Sequence, residues 1–199
     1  METGYEMEML EENAVIACPG ARGAYSQKAC DELFARPDIM YFRNFEAVFK
    51  AVDRGLCDYG ILPIENSTCG AVTDVCSLMP HYSFKTVRSV RLHISHDLLA
   101  PAGTALEDIR EIISHEQALG QCRNYIRSLG DVKITKTENT ASAARMIAGS
   151  GRTDIAAIAS RDCAGLYGLE VLASDIQLAG DNCTRFICIA KKGSAAFRD

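Results

Sequence analysis

The 199-residue chain carries a formal net charge of −5, with 48% apolar and 24% charged residues. That balance suits a globular protein of one large domain or two small lobes, and it excludes a nucleic-acid binder that relies on a basic face. No apolar run approaches the roughly 20 residues of a membrane span. The acidic start from Met1 to Glu12 has neither the basic nor the apolar region of a secretory signal. It reads as a tail or linker over residues 1–13. The nine cysteines include no C-x-x-C pair, which argues for free thiols in a reducing compartment rather than a zinc site or a disulfide framework.

Along the chain, short apolar strands alternate with amphipathic helices. Ala14 to Cys18 reads as a strand, Pro19 to Gly23 as a loop and Tyr25 to Ala35 as a helix. A weak strand follows at Met40 to Phe42. Phe45, Val48, Phe49 and Val52 then keep helical spacing, with Asn44 as N-cap and Gly55 as the stop. Tyr59 to Ile64 is the next strand, Glu65 to Thr68 a polar loop, and a short helix ends near Met79-Pro80. Val87 to Ile94 alternates as a strand does, and Ile109 to Ile113 is another. Ser114 with Gln117 fits a capping box opening a helix to about Leu129, stopped by Gly130. A strand at Val132 to Thr135, a helix capped by Asn139 or Thr140, and a strand at Ile155 to Ala159 follow. Ser160 caps a helix stopped by Gly168, and strands at Leu169 to Leu172 and Phe186 to Ala190 complete the series.

Such alternation implies parallel sheets flanked by helices. The loops after the strands carry small polar residues: Gly20–Ser26, Glu65–Thr68, Ser114–Gln117, Asn139–Ser142 and Ser160. In an open α/β sheet these loops gather where ligands bind, and helix N-termini there favour anions. Other chemistries fall away. Gly20 to Ser26 matches neither a dinucleotide fingerprint nor a P-loop. His115-Glu116 lacks the second histidine of a zincin, because residue 119 is Leu. His93 and His96 form a pair without further metal ligands, and no Ser or Cys nucleophile stands in a triad pattern.

One stretch stands out chemically. Asp181-Asn182-Cys183-Thr184-Arg185-Phe186 runs into the apolar Ile187 to Ala190. It sets an amide, a hydroxyl and a guanidinium at the mouth of a buried strand, a group able to grip a small anion. Glu65-Asn66-Ser67 offers a carboxylate, an amide and a hydroxyl at the end of another strand, and burial would make Glu65 a general acid or base.

Seven segments together resemble the catalytic domain of prephenate dehydratases. They are Gly20-x-x-Gly23-Ala-Tyr-Ser26; Leu62-Pro-Ile-Glu-Asn-Ser67 with Gly70; His96-x-Leu98-Leu99; Ser114-His-x-Gln-Ala-Leu119 with Gln121-Cys122; Ala156-Ala-Ile-Ala-Ser160; Tyr167-Gly-Leu169; and Asn182-x-Thr-Arg-Phe186. They occur in the family's order from about residue 14 to 190. The chain departs at Ala24, where the family often has Thr, and at Glu116, where it often has Pro.

The resemblance implies an α/β fold of the two-lobed, type II periplasmic-binding-protein-like kind, with mixed sheets flanked by helices and a cleft between lobes. We expect lobe 1 over 14–88 and 176–193, an inserted lobe 2 over 89–175, and a tail at 194–199. It implies conversion of prephenate to phenylpyruvate, water and carbon dioxide in phenylalanine biosynthesis, without metal or organic cofactor. It also implies a cytoplasmic homodimer or larger assembly. The family often adds a C-terminal phenylalanine-sensing ACT domain, which this chain does not contain, and an upstream chorismate mutase can be fused. The expected catalytic residues are Thr184, hydrogen-bonding the leaving hydroxyl, and Glu65 as an alternative acid. Ser26, Asn66, Ser67, Ser114, Gln117, Asn182 and Arg185 would bind substrate, Arg185 either neutralising a carboxylate or making an internal salt bridge. The alternatives are an arogenate dehydratase and a non-catalytic small-anion-binding module of the same fold.

Overall fold

The computed structural model describes residues 10, 13–178 and 180–193. The expected tails at 1–13 and 194–199 lie almost wholly outside them. Two sheets organise the chain. The first contains β1 (Val15–Pro19), β2 (Asp38–Phe42), β3 (Tyr59–Asn66), β5 (Phe84–His93) and β11 (Cys183–Lys191), in the order β2-β1-β3-β11-β5. A two-residue β4 (Gly70–Ala71) pairs with β3. The second contains β6 (Asp97–Pro101), β7 (Glu111–His115), β8 (Lys133–Thr137), β9 (Ile155–Ala159) and β10 (Leu169–Ala173), in the order β10-β6-β9-β7-β8.

The helices cover both faces of each sheet. α1 (Tyr25–Leu33) lies on one face of the first sheet and α2 (Phe45–Asp53) on the other, where α3 (Thr73–Leu78) joins it. α6 (Thr140–Ala148) and α7 (Asp162–Tyr167) cover one face of the second sheet, and α4 (Glu116–Gln121) and α5 (Arg123–Ser128) the other. Every face is therefore covered by an apolar layer. Ile61, Leu62, Leu98 and Leu99 are fully buried, each contributing about 1.5–3 kcal/mol by leaving water. Asn44 and Asn139 cap α2 and α6, accepting from Ala47 N (2.9 Å) and Ser142 N (2.8 Å).

The sheets are mixed, not parallel. β1, β2 and β3 run parallel, but β11 is antiparallel to both β3 and β5; β10 and β6 likewise run against their neighbours. The return strand β11 closes the first sheet after the chain has built the second. Two crossings between sheets, with a cleft between the halves, give the type II periplasmic-binding-protein-like arrangement. β5 runs on to His93, past the expected boundary at residue 88, so the crossings fall near Ile94–His96 and Ser174–Asn182.

Other local expectations change too. β6 was not foreseen: Leu98, Leu99 and Ala100 are buried on both faces and show no alternation. Glu65 and Asn66 belong to β3 rather than to a loop. Ser114 belongs to β7, and His115 is the cap of α4, its Nδ1 accepting from Gln117 N. The expected helix to Leu129 breaks at Cys122 into α4 and α5. Ser160 does not cap α7; its hydroxyl reaches Gly23 O and Cys163 Sγ instead. Gly168, with φ of 66°, does end that helix.

Candidate active site

A cavity of about 360 Å³ opens between the sheets. β3 and β11 supply Pro63, Asn66, Thr184 and Phe186 to its wall; α4 supplies Gln117 and Gln121; and His96 comes from the crossing segment. It shares Phe45, Pro63, Asp74, His115 and Phe186 with a neighbouring cavity of about 370 Å³, so the two form one cleft. The second cavity is bounded by residues at the start of three helices: Ala24 and Ser26 of α1, Asn44 and Phe45 of α2, and Asn139 and Thr140 of α6. First-turn N–H groups lack intrahelical acceptors, so this end of the cleft favours anions. Of the five expected loop segments, Ser160 alone contributes no residue to either cavity.

Strand geometry sorts the expected residues. Consecutive residues of a strand face opposite ways, so Thr184 and Arg185 part company. Asn182, Thr184 and Phe186 are buried, and Thr184 and Phe186 line the cleft. Arg185 lies on the other face, paired with Glu65 at 3.3 Å, in a small recess of about 120 Å³ shared with Ser67, Arg91 and Cys183. The guanidinium is thus an internal tie, not a clamp inside the cleft, and Glu65 is its half-exposed partner. β3 carries an irregularity here: Phe186 pairs with Pro63, while Arg185 pairs with Glu65. Ile64 is the extra residue, packing toward the α2 core. This bulge lets Pro63 and Asn66, an odd number of residues apart, line the same cavity.

Serines expected at the site are mostly occupied elsewhere. Ser67 Oγ donates to Asp181 O (2.8 Å) and accepts from Cys183 N (2.9 Å), fastening β3 to the start of β11. Ser114 is fully buried and donates to Ile158 O at 2.6 Å, away from the cleft. Ser26 borders the second cavity with its hydroxyl given to Pro19 O at 2.6 Å.

At the centre lies a hydrogen-bond chain whose polarity is fixed by the backbone. Asn66 Oδ1 accepts from the main-chain N–H groups of Thr68 and Cys69, both at 3.0 Å, and from Thr68 Oγ1. Its amide nitrogen must therefore face the other way, donating to Asn182 Oδ1 (2.8 Å) and Thr184 Oγ1 (2.9 Å). Asn182 in turn donates to Gln121 Oε1 (3.2 Å), and Gln121 Nε2 donates to Thr68 Oγ1 (2.9 Å). With its lone pair engaged by Asn66, Thr184 has its own proton to give.

The cleft's charges are few. Asp74 borders both cavities, and Arg43 and Glu138 form an ion pair at the rim. Burial lowers the pKa of His96 and of His115, so both rings are neutral at physiological pH. Tyr25 OH donates to Ser95 O (2.5 Å) and accepts from Ser95 N (2.9 Å), pinning α1 to the crossing segment, and burial pushes its phenol up. Among the described residues no group of three or more His, Cys, Asp or Glu converges in a metal-binding arrangement.

Sequence reasoning did not single out Gln121, Thr68 or Asp74, and passed over His96 as a poor metal ligand. His96 and Gln121 stood within matching motifs, but only the fold shows that they meet.

A two-sheet fold with a helix-ringed cleft and a fixed Thr–Asn network defines a small-anion site, and comparison with known proteins gives it a family. The family model "Prephenate dehydratase" matches residues 16–194. The chain belongs to the prephenate dehydratase family. It is 40% identical over 177 residues to arogenate dehydratase/prephenate dehydratase 2 of Arabidopsis thaliana, covering 89% of this chain and 46% of that one. It is 34% identical over 184 residues to the bifunctional chorismate mutase/prephenate dehydratase of Escherichia coli K12, covering 90% and 48%. The crystal structure of prephenate dehydratase from Arthrobacter aurescens in complex with L-Phe superposes with a TM-score of 0.82 at 27% identity, covering 93% of this chain and 63% of that one. The chain spans about half the length of the curated relatives it matches.

Proposed function

We propose that this chain dehydrates and decarboxylates prephenate to phenylpyruvate, and the observation that carries this reading is the fixed hydroxyl of Thr184. In the reaction the bond from the ring to its carboxylate breaks and carbon dioxide leaves. The electron pair enters the ring, the C–O bond at the opposite carbon breaks, and the departing hydroxide takes up a proton to become water. The ring becomes aromatic, which supplies the driving force. The protein has to hold the dianion and stabilise charge growing on the departing oxygen. Asn66 occupies the Thr184 lone pair at 2.9 Å, so the Thr184 proton is available to that oxygen.

In this reading Asn66 and Asn182 act by orienting Thr184, since Asn66 spends its NH2 group on Asn182 and Thr184 and Asn182 donates to Gln121. Gln117 contacts the substrate from α4, and Ser26 borders the end of the cleft that takes the side-chain carboxylate beside the starts of α1, α2 and α6. The apolar wall of Pro63 and Phe186 suits the ring carboxylate, because a poorly solvated carboxylate loses charge more readily. The expected reducing, cytoplasmic setting accords with nine free thiols, and assembly as a homodimer remains part of the reading.

Incubation with prephenate at neutral pH, with phenylpyruvate followed in alkali against a no-enzyme control, tests it. Turnover that disappears in Thr184→Ala supports the reading; undiminished turnover in that variant removes Thr184 from the mechanism. Arogenate is the second reading, favoured by the double name of the Arabidopsis relative and by Asp74, an acid on the cleft wall able to meet an ammonium group. Relative kcat/KM for the two substrates separates them.

A further inference from the structure

We propose that His96 offers an unprotonated Nδ1 as a hydrogen-bond acceptor and takes the proton of the substrate's ring hydroxyl into a hydrogen bond, opposite the Thr184 donor. This rests on the prephenate reading above. The argument begins at the backbone. The N–H groups of Thr68 and Cys69 fix Asn66, Asn66 fixes Asn182, and Asn182 fixes Gln121 with Oε1 as the acceptor. His96 Nε2 lies 2.8 Å from that same Oε1. Two acceptors cannot bond each other, so His96 carries its proton on Nε2.

The other ring nitrogen is then a bare lone pair. His96 is 4% exposed, lines the cavity, and its Nδ1 is a buried polar atom without a hydrogen-bond partner. Such atoms are rare in folded proteins and call for an explanation. His115 makes the contrast: its Nδ1 is engaged by Gln117 N. The same chain of amides therefore has two outputs at one cavity, an O–H donor at Thr184 and a nitrogen acceptor at His96. A hydroxyl is the group that needs both, since it accepts and donates at once. Prephenate, with both carboxylates ionised, has one hydrogen-bond donor, the ring hydroxyl. The pair would fix that hydroxyl's orientation, keeping its lone pair toward Thr184 as the C–O bond lengthens.

The test is 15N NMR of the chain labelled at histidine, with His96 assigned through His96→Gln. We expect an Nε2-protonated ring with bare Nδ1. Prephenate added to Thr184→Ala, which preserves the ligand, should move the Nδ1 resonance and leave Nε2 nearly in place. In turnover, His96→Gln, which reaches toward Gln121 but has no acceptor at the Nδ1 position, should lose at least about tenfold in kcat, the scale of one hydrogen bond to a reacting group. His96→Asn, which can return an acceptor there, should recover most of it. An Nδ1-protonated ring, an Nδ1 signal unmoved by bound prephenate, or wild-type turnover in a folded His96→Gln each overturns the proposal. A chain that binds prephenate with the Nδ1 shift but does not turn it over refutes the dehydratase reading and leaves the contact standing.

Discussion

Replacing Asn66 by Asp changes one NH2 group into an oxygen and tests the polarity of the whole site. The acceptor side survives, because the carboxylate still takes the N–H groups of Thr68 and Cys69. The other side inverts. Two oxygen–oxygen contacts replace donors at 2.8 Å to Asn182 and 2.9 Å to Thr184. Thr184 relieves one of them by turning its proton toward the new carboxylate and away from the cleft. The bond lost is that from the hydroxyl to a departing oxygen gaining charge, worth about 1.5–3 kcal/mol. At about 1.4 kcal/mol per factor of ten, kcat should fall about 12- to 150-fold, with KM changing far less. Asn66→Ala frees the hydroxyl without inverting it and should fall between. Steady-state kinetics with prephenate, beside urea denaturation to confirm folding, measures this. A folded Asn66→Asp protein within about threefold of the parent kcat refutes the claim that Asn66 sets the direction of the Thr184 proton.

Other expectations follow from the same structure. Glu65→Gln breaks only a half-exposed pair with Arg185 on the far face of β11; kcat should stay within about threefold and stability within about 1 kcal/mol, and a larger loss of kcat would return Glu65 to the chemistry. Glu111 is buried in β7 among Thr135, Lys133 and Arg152, whose hydrogen bonds hold its carboxyl from 4.5 down to about 2. Because the folded pKa is the lower one, its contribution is full above about pH 4.5 and disappears as pH falls toward 2. Urea midpoints should drop across that window more steeply for the parent than for Glu111→Gln. Gly23→Ala places a Cβ 2.9 Å from Cys163 Sγ at φ of +87°, and should destabilise by about 1–3 kcal/mol, read as a lowered Tm.

Much of this was legible in the chain. The apolar runs of β1, β3, β9 and β11 announced themselves, as did the caps at Asn44 and Asn139, because each depends on local chemistry. Thr184 was legible through its motif. What was hidden depended on partners distant in sequence. β6 is buried on both faces and so shows no period. Arg185 looked like a neighbour of Thr184 because the strand was expected to begin at Phe186; begun at Cys183, it separates the two side chains by strand alternation alone. The meeting of His96, Gln121, Asn182 and Asn66 joins both sheets, and no spacing along the chain encodes it.

The bulge at Ile64 carries a consequence for how this site tolerates change. Pairing register with β11, rather than any single side chain, decides which of Glu65 and Asn66 looks into the cleft. Deleting Ile64 would remove the extra residue and leave Pro63, Glu65 and Asn66 in plain alternation, so Glu65 would still pair with Arg185 and Asn66 would still face Thr184. Lineages could vary the residue at position 64, or lose it, and keep the facing of Glu65 and Asn66. The site is protected less by Ile64 than by the pairing of Asn66 with Thr184 that follows it.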